Sequence, residues 1–108
     1  MSDFRTELQS KAVAALRNIA SEIDRLSPGH DHAQTMIAFL AGIYNGADYP
    51  FNLTRLRELD GHNAMACVQI LQYNCLRSGG EIHEWGVFQD DDLHLWIKLA
   101  GLKSKGRR

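Results

Sequence analysis

Only two cysteines and two prolines occur among the 108 residues, and no apolar run approaches the ~20 residues that a membrane-spanning helix needs. Cys67 and Cys75 lie eight residues apart on what reads as one helix. At ~1.5 Å per residue they stand about 12 Å apart, too far for a disulfide. Free, mostly buried thiols are expected, acting as small core residues. The beginning, MSDFRTELQSK, is charged and lacks the apolar region of a signal peptide, so the expected location is the cytoplasm. The chemical motifs are missing as well. There is no C-x-x-C, no H-E-x-x-H and no G-x-S-x-G. Gly79-Gly80 has no Lys-Ser/Thr after it, so no phosphate loop is present. His30-Asp31-His32 gathers metal-ligating types, but a zinc site needs three or four converging ligands, so capping and loop roles are expected there. No cofactor and no metal is called for, and nothing marks a nucleophile.

What is present is helical patterning. Leu8, Ala12, Leu16, Ile19, Ile23 and Leu26 recur every three or four residues and predict a long amphipathic helix from Asp3 to Leu26, capped by Ser2 or Asp3. Ser27-Pro28-Gly29 ends it. At about 36 Å such a helix is long for so small a body: it packs along the whole domain, or part of its seam pairs with a second subunit. Asp31 with Gln34 reads as a capping box for a helix from Ala33 to Tyr44 that buries Met36, Ile37, Leu40 and Ile43. Asn45-Gly46 suits a left-handed end to that helix. Then comes a corner. Tyr49-Pro50 is an extended or turn dipeptide, Asn52 caps a short helix over Leu53 to Glu58, and Leu53 and Leu56 are expected to face the core. Asp60 caps the next helix, Gly61 to Arg77, which Gly79-Gly80 closes. That helix is apolar nearly all round, with Ala64, Cys67, Val68, Leu71 and Cys75 on one side, and such helices are usually enclosed by their neighbours.

The C-terminal third is ambiguous. Leu93, Leu95, Ile97 and Leu99 alternate as a strand would, and a hairpin with residues 81–88 is one reading. The other is a helix from about Asp91 to Ala100. It has an acidic start at Asp90-Asp91-Asp92 and a Schellman end at Gly101 with Leu102 touching Ile97. Helical punctuation at both ends favours the helix. The fold class is therefore all-α: a compact bundle of about four to five helices, with a long N-terminal helix and a buried central one. One helical domain is expected over 1–102, followed by a flexible basic tail over 103–108.

The stretch FLAGIYNGADYPFNLTRLRELD resembles a small uncharacterised proteobacterial family of unknown function, often encoded among accessory and mobile-element genes. The features are Tyr44, Asn45, Gly46, Pro50, Phe51, Asn52, Leu53, Leu56, Arg57, Leu59 and Asp60, with Glu81-Ile82-His83 downstream. The likeness covers Ala38 to Leu102 and leaves out the N-terminal helix and the tail. It carries no chemistry, and capping and packing explain most of the shared residues. Arg57, His83 and Glu84 are not explained that way.

Charge separates two function classes. Four of the 12 basic residues, Lys103, Lys105, Arg107 and Arg108, fall in the last six positions, which leaves eight against 13 acidic residues elsewhere. An acidic body is no nucleic-acid surface, so nucleic-acid contact would rest on those four. The reading preferred is a protein–protein interaction module that forms a homodimer or takes a protein partner. Its candidate contacts are Leu8 and Leu16 on the first helix, Arg57, His83, Glu84, and the aromatics Trp85 and Trp96, Trp being enriched at interface centres. The second alternative is a metal-binding role at His30, Asp31 and His32, or a small hydrolytic enzyme with Glu81, His83 and Glu84 as acid and base.

Overall fold

The computed structural model describes residues 4–75 and 82–104. Ser2 and Asp3, Gly79-Gly80, Glu81 and the tail residues Lys105, Arg107 and Arg108 lie outside the described residues. Four α-helices follow in order: α1 (Phe4–Leu26), α2 (Asp31–Tyr44), α3 (Gly61–Asn74) and α4 (Asp90–Leu99). Two 3-10 turns, Leu53–Glu58 and Ile82–Glu84, sit between them. Among the described residues there is no strand, so the hairpin alternative for Leu93 to Leu99 is not what forms. No described helix is long and apolar enough to cross a membrane.

The apolar stripe of α1 is consumed within the chain. Ala12, Ala15, Leu16, Ile19 and Ile23 are all buried, mainly against α3. Asn63, at the start of α3, donates to Glu22 near the end of α1 over 3.2 Å, so the two helices run antiparallel. α1 ends at Ser27, whose backbone is left-handed (φ 77°), an uncommon state for a residue with a Cβ. Its N–H bonds Ile23 O at 2.9 Å, and its carbonyl accepts from His30 at 3.0 Å. His30 caps α2 by accepting from His32 N–H, which displaces the expected Asp31–Gln34 box by one residue.

The enclosed helix is α2 rather than α3. Every residue from Thr35 to Ala41 is buried. α3 and the Ile82–Glu84 turn touch it, and three further elements pack along it. α4 runs antiparallel along one side, with Gln34 Nε2 donating to Ala100 O at 3.0 Å and Tyr44 meeting His94 at the other end. The corner after α2 folds back along a second side, with Phe51 edge-on to Phe39 (5.6 Å between centroids) and Glu58 bonded to Thr35 (2.8 Å). α1 lies on the third. The corner comes so close because residue 42 is glycine: a Cβ there would stand 2.9 Å from Phe51 Cβ and 3.1 Å from Tyr49 O.

The expected left-handed end at Asn45-Gly46 does not form. Asn45 is extended (φ −153°), and its side chain instead brackets Asp48, accepting from its N–H (3.2 Å) and donating to its carboxylate (3.0 Å). The other punctuation is as read. Asn52 caps the 3-10 turn through Thr54 N–H, Asp60 caps α3 through Asn63 N–H at 2.8 Å, and Gly101 (φ 77°) ends α4 with Leu102 N–H on Ile97 O at 3.1 Å.

Candidate functional site

α3 buries Asn63, Ala66, Cys67, Ile70 and Tyr73. Its opposite side is open. Met65 is 57% and Val68 37% exposed, and Cys75 is exposed too. This corrects two expectations: α3 is not enclosed, and only Cys67 is a buried thiol, with burial pushing its pKa up to about 12. From Gly61 to Cys75 the chain carries no Asp, Glu, Lys or Arg. A solvent-facing helix surface is normally where charge concentrates. Here the open residues are His62, Met65, Val68, Gln72 and Cys75.

Beside this face lies a groove of about 430 Å³, lined by Phe39, Gly42, Ile43, Pro50, Phe51, Leu53, Leu71 and others. Its floor exists because Gly42 lets the Tyr49-Pro50-Phe51 corner lie on α2. Leu53 was expected to face the core; instead it is 55% exposed on the groove's edge, because the segment that holds it is a 3-10 turn with threefold rather than 3.6-fold spacing. Leu71 and Asn74 bring α3 into the groove wall, and no residue of that lining is charged.

Two polar clusters accompany it. Glu58 accepts from Thr35 Oγ1 and pairs with Arg55 at 3.5 Å; the Thr35 bond, more than Arg55, holds its carboxyl below the usual range. Arg55 also lies over the Phe51 ring, 5.4 Å from its centroid. This cluster fastens the corner to α2. The second gathers Tyr44, His83, Asp90 and His94. Tyr44 is edge-on to both histidines, and its hydroxyl lies 3.3 Å from His94 Nε2, which is 3.5 Å from Asp90 Oδ2. His83 Nδ1 and Asp90 Oδ1 are buried with no partner. The sequence signal for half of it was the i,i+4 pair Asp90–His94 on α4; Tyr44 and His83 join only through the fold. Among the described residues no three metal-ligating side chains converge.

The sequence candidates scatter. Leu16 is fully buried under α3 and offers no surface; Leu8 is half-buried, and the open apolar residue of α1 is Phe4, 68% exposed. Trp96 is buried edge-on to Phe88 (5.2 Å), so it serves the core and not a contact surface. Trp85 is half-buried against Tyr73 at 5.1 Å. His83 joins the Tyr44 cluster, while Glu84 is exposed beside it in sequence. Arg57 is exposed on the 3-10 turn near the groove-edge Leu53 in sequence. Lys103 is exposed after α4.

No curated protein and no solved structure matches the chain. One family model does, over residues 10–96, and so reaches back through most of α1, which the likeness read from Ala38 onward had left out. A match over that span, covering α1 through most of α4, makes the chain a member of the family of unknown function DUF7673.

Proposed function

We propose that the protein acts by protein–protein contact, through the open face of α3 and the groove beside it. The observation that carries this reading is the uncharged, partly exposed surface of Met65, Val68 and Leu53 around a preformed apolar groove. An apolar patch rimmed by polar residues on a small domain is characteristically covered by a partner. The groove has the form that accepts the apolar side of an amphipathic helix. A second copy of the chain is one such partner, and exposed Phe4 with half-buried Leu8 at the start of α1 would extend the contact. The setting we attach to this role is cytoplasmic, from the charged opening MSDFRTELQSK, and bacterial among accessory or mobile-element genes, from the likeness over Ala38 to Leu102.

The test compares the wild-type chain with Val68→Glu and Leu53→Glu, both at exposed positions where the fold is expected to survive. Light scattering after size exclusion, at several concentrations, reads self-association. Mass analysis of proteins retained from the source cell reads other partners. Loss of the assembly or partner in both variants, with unchanged circular dichroism, supports the role. A wild-type monomer at every concentration, retaining nothing that the variants do not retain, removes it.

A further inference from the structure

At the end of the molecule where α4 stops, a shallow cleft of about 750 Å³ opens between the corner and the segment after Gly101. Its lining is unlike the groove's. Tyr49, Ile97 and Leu102 give it an aromatic and aliphatic floor, while His94, Lys98, Lys103 and Ser104 supply polar groups. Lys98 and Lys103 are exposed and make no ion pair with any described residue. Ser104 Oγ is buried and has no hydrogen-bond partner among the described residues.

A buried hydroxyl is ordinarily bonded, and here one that no described residue bonds lines the same cleft as two ammonium groups that no described carboxylate pairs. The carbonyls at the end of α4 do not fill that need. Leu102 N–H bonds Ile97 O, Gly101 N–H bonds Lys98 O, and Gln34 Nε2 bonds Ala100 O, so the negative end of the helix is already compensated. Asp48, in the adjoining recess, is bonded to Asn45, and Asp90 lies one turn back beside His94. The left-handed Gly101 is what turns the chain so that Lys103 and Ser104 follow Leu102 back toward the corner.

We infer that this cleft binds a nucleotide phosphate, with Lys98, Lys103 and Ser104 on the phosphate and the base over the floor of Tyr49, Ile97 and Leu102. Lysine is a phosphate binder that needs no fixed fork geometry. In sequence, Lys105, Arg107 and Arg108 follow Ser104 in an otherwise acidic chain. The phosphate could belong to a free nucleotide or to the end of a nucleic-acid strand.

Calorimetric titration of the full chain with inorganic phosphate, ATP and a 5′-phosphorylated single-stranded octanucleotide tests this. ATP or the octanucleotide is expected to bind, with affinity falling as salt rises. Whichever of the two binds tighter identifies the source. Lys98→Glu and Lys103→Glu, both surface changes, are each expected to weaken binding at least tenfold, and Asn18→Glu, exposed on α1, to leave it unchanged. No binding of any of the three overturns the inference. So does equal binding by the lysine variants, which would put the contact on residues 105–108 alone. Inorganic phosphate binding as tightly as ATP would overturn the role of the floor.

Discussion

Gly42→Ala sets two known effects against each other at a single atom. In the middle of an exposed helix, Gly to Ala gains about 1 kcal/mol of helix propensity. At Gly42 the new methyl would stand 2.9 Å from Phe51 Cβ and 3.1 Å from Tyr49 O. Neither neighbour is the free end of a flexible side chain, and Pro50 between them fixes its own φ. Overfilling a packed site costs about 1–3 kcal/mol. The expected balance is a net loss on the order of 1 kcal/mol, which in a domain of this size lowers Tm by roughly 4–8 °C. The contact is Cβ to Cβ, so the partner substitution discriminates. Phe51→Ala keeps the Cβ: it loses on the order of 2 kcal/mol from a half-buried ring and should add to Gly42→Ala. Phe51→Gly removes the Cβ, so Gly42→Ala should do markedly less harm in that background. Thermal and urea unfolding followed by circular dichroism at 222 nm give all four corners of each cycle. A higher Tm for Gly42→Ala alone, or identical coupling in both cycles, would refute the close packing of corner on helix and the rigid groove floor with it.

Three further outcomes follow from particular residues. Arg25, and after it Asn63, hold the Glu22 carboxyl down from 4.5 to about 2 in the folded chain, so its contribution is fully present above pH ~4.5 and lost as pH falls toward 2. Glu22→Gln should flatten that part of a Tm-against-pH curve, and an unchanged acid limb would count against the bridge. Iodoacetamide at pH 8 should add one group to the native protein, on exposed Cys75, and a second, on Cys67, only in urea; two rapid native adducts by mass spectrometry would contradict the burial of Cys67. Gly101→Val should destabilise the chain by about 1–2 kcal/mol because φ there is 77°, and a melting curve matching wild type would show that α4 can end another way.

Helix ends were the most legible part of the sequence, because a cap is a local event. Asn52, Asp60 and Gly101 each act within three or four residues of themselves, and each does what its type and spacing imply. Asp31 and Asn45 are the exceptions: His30 takes the cap of α2 one residue early, and Asp48, three residues on, offers the Asn45 side chain a better partner than a left-handed turn would. Burial was less legible, because an apolar residue states a preference without saying whether the fold meets it. α2 and α3 are both rich in apolar residues, yet α2 is buried without a break from Thr35 to Ala41, whereas α3 leaves Met65, Val68 and Cys75 open. The difference lies in Gly42 and the returning corner, which a periodicity reading of α2 alone does not weigh. Leu53 faces out because its turn is 3-10 and not α. The cluster of Tyr44, His83 and His94 joins positions up to fifty residues apart, and only the antiparallel run of α2 and α4 brings them together.

The antiparallel pairing of α1 with α3 also bears on how the chain is made. Glu22 and Asn63 meet across 41 residues of sequence, and α1 has no comparably extensive partner nearer to it. During synthesis at ~5–20 residues per second, the stretch from Leu26 to Asn74 takes roughly two to ten seconds to follow. For that interval Ala12, Leu16, Ile19 and Ile23 have only α2 to lie against, and α2 itself still lacks α4. Contacts between distant positions form late and slow the search. The nascent N-terminal half is therefore the state in which this protein is most exposed to aggregation and to chaperones, and changes that weaken the α1–α2 turn at Ser27 would be felt first in yield rather than in the melting temperature of the finished fold.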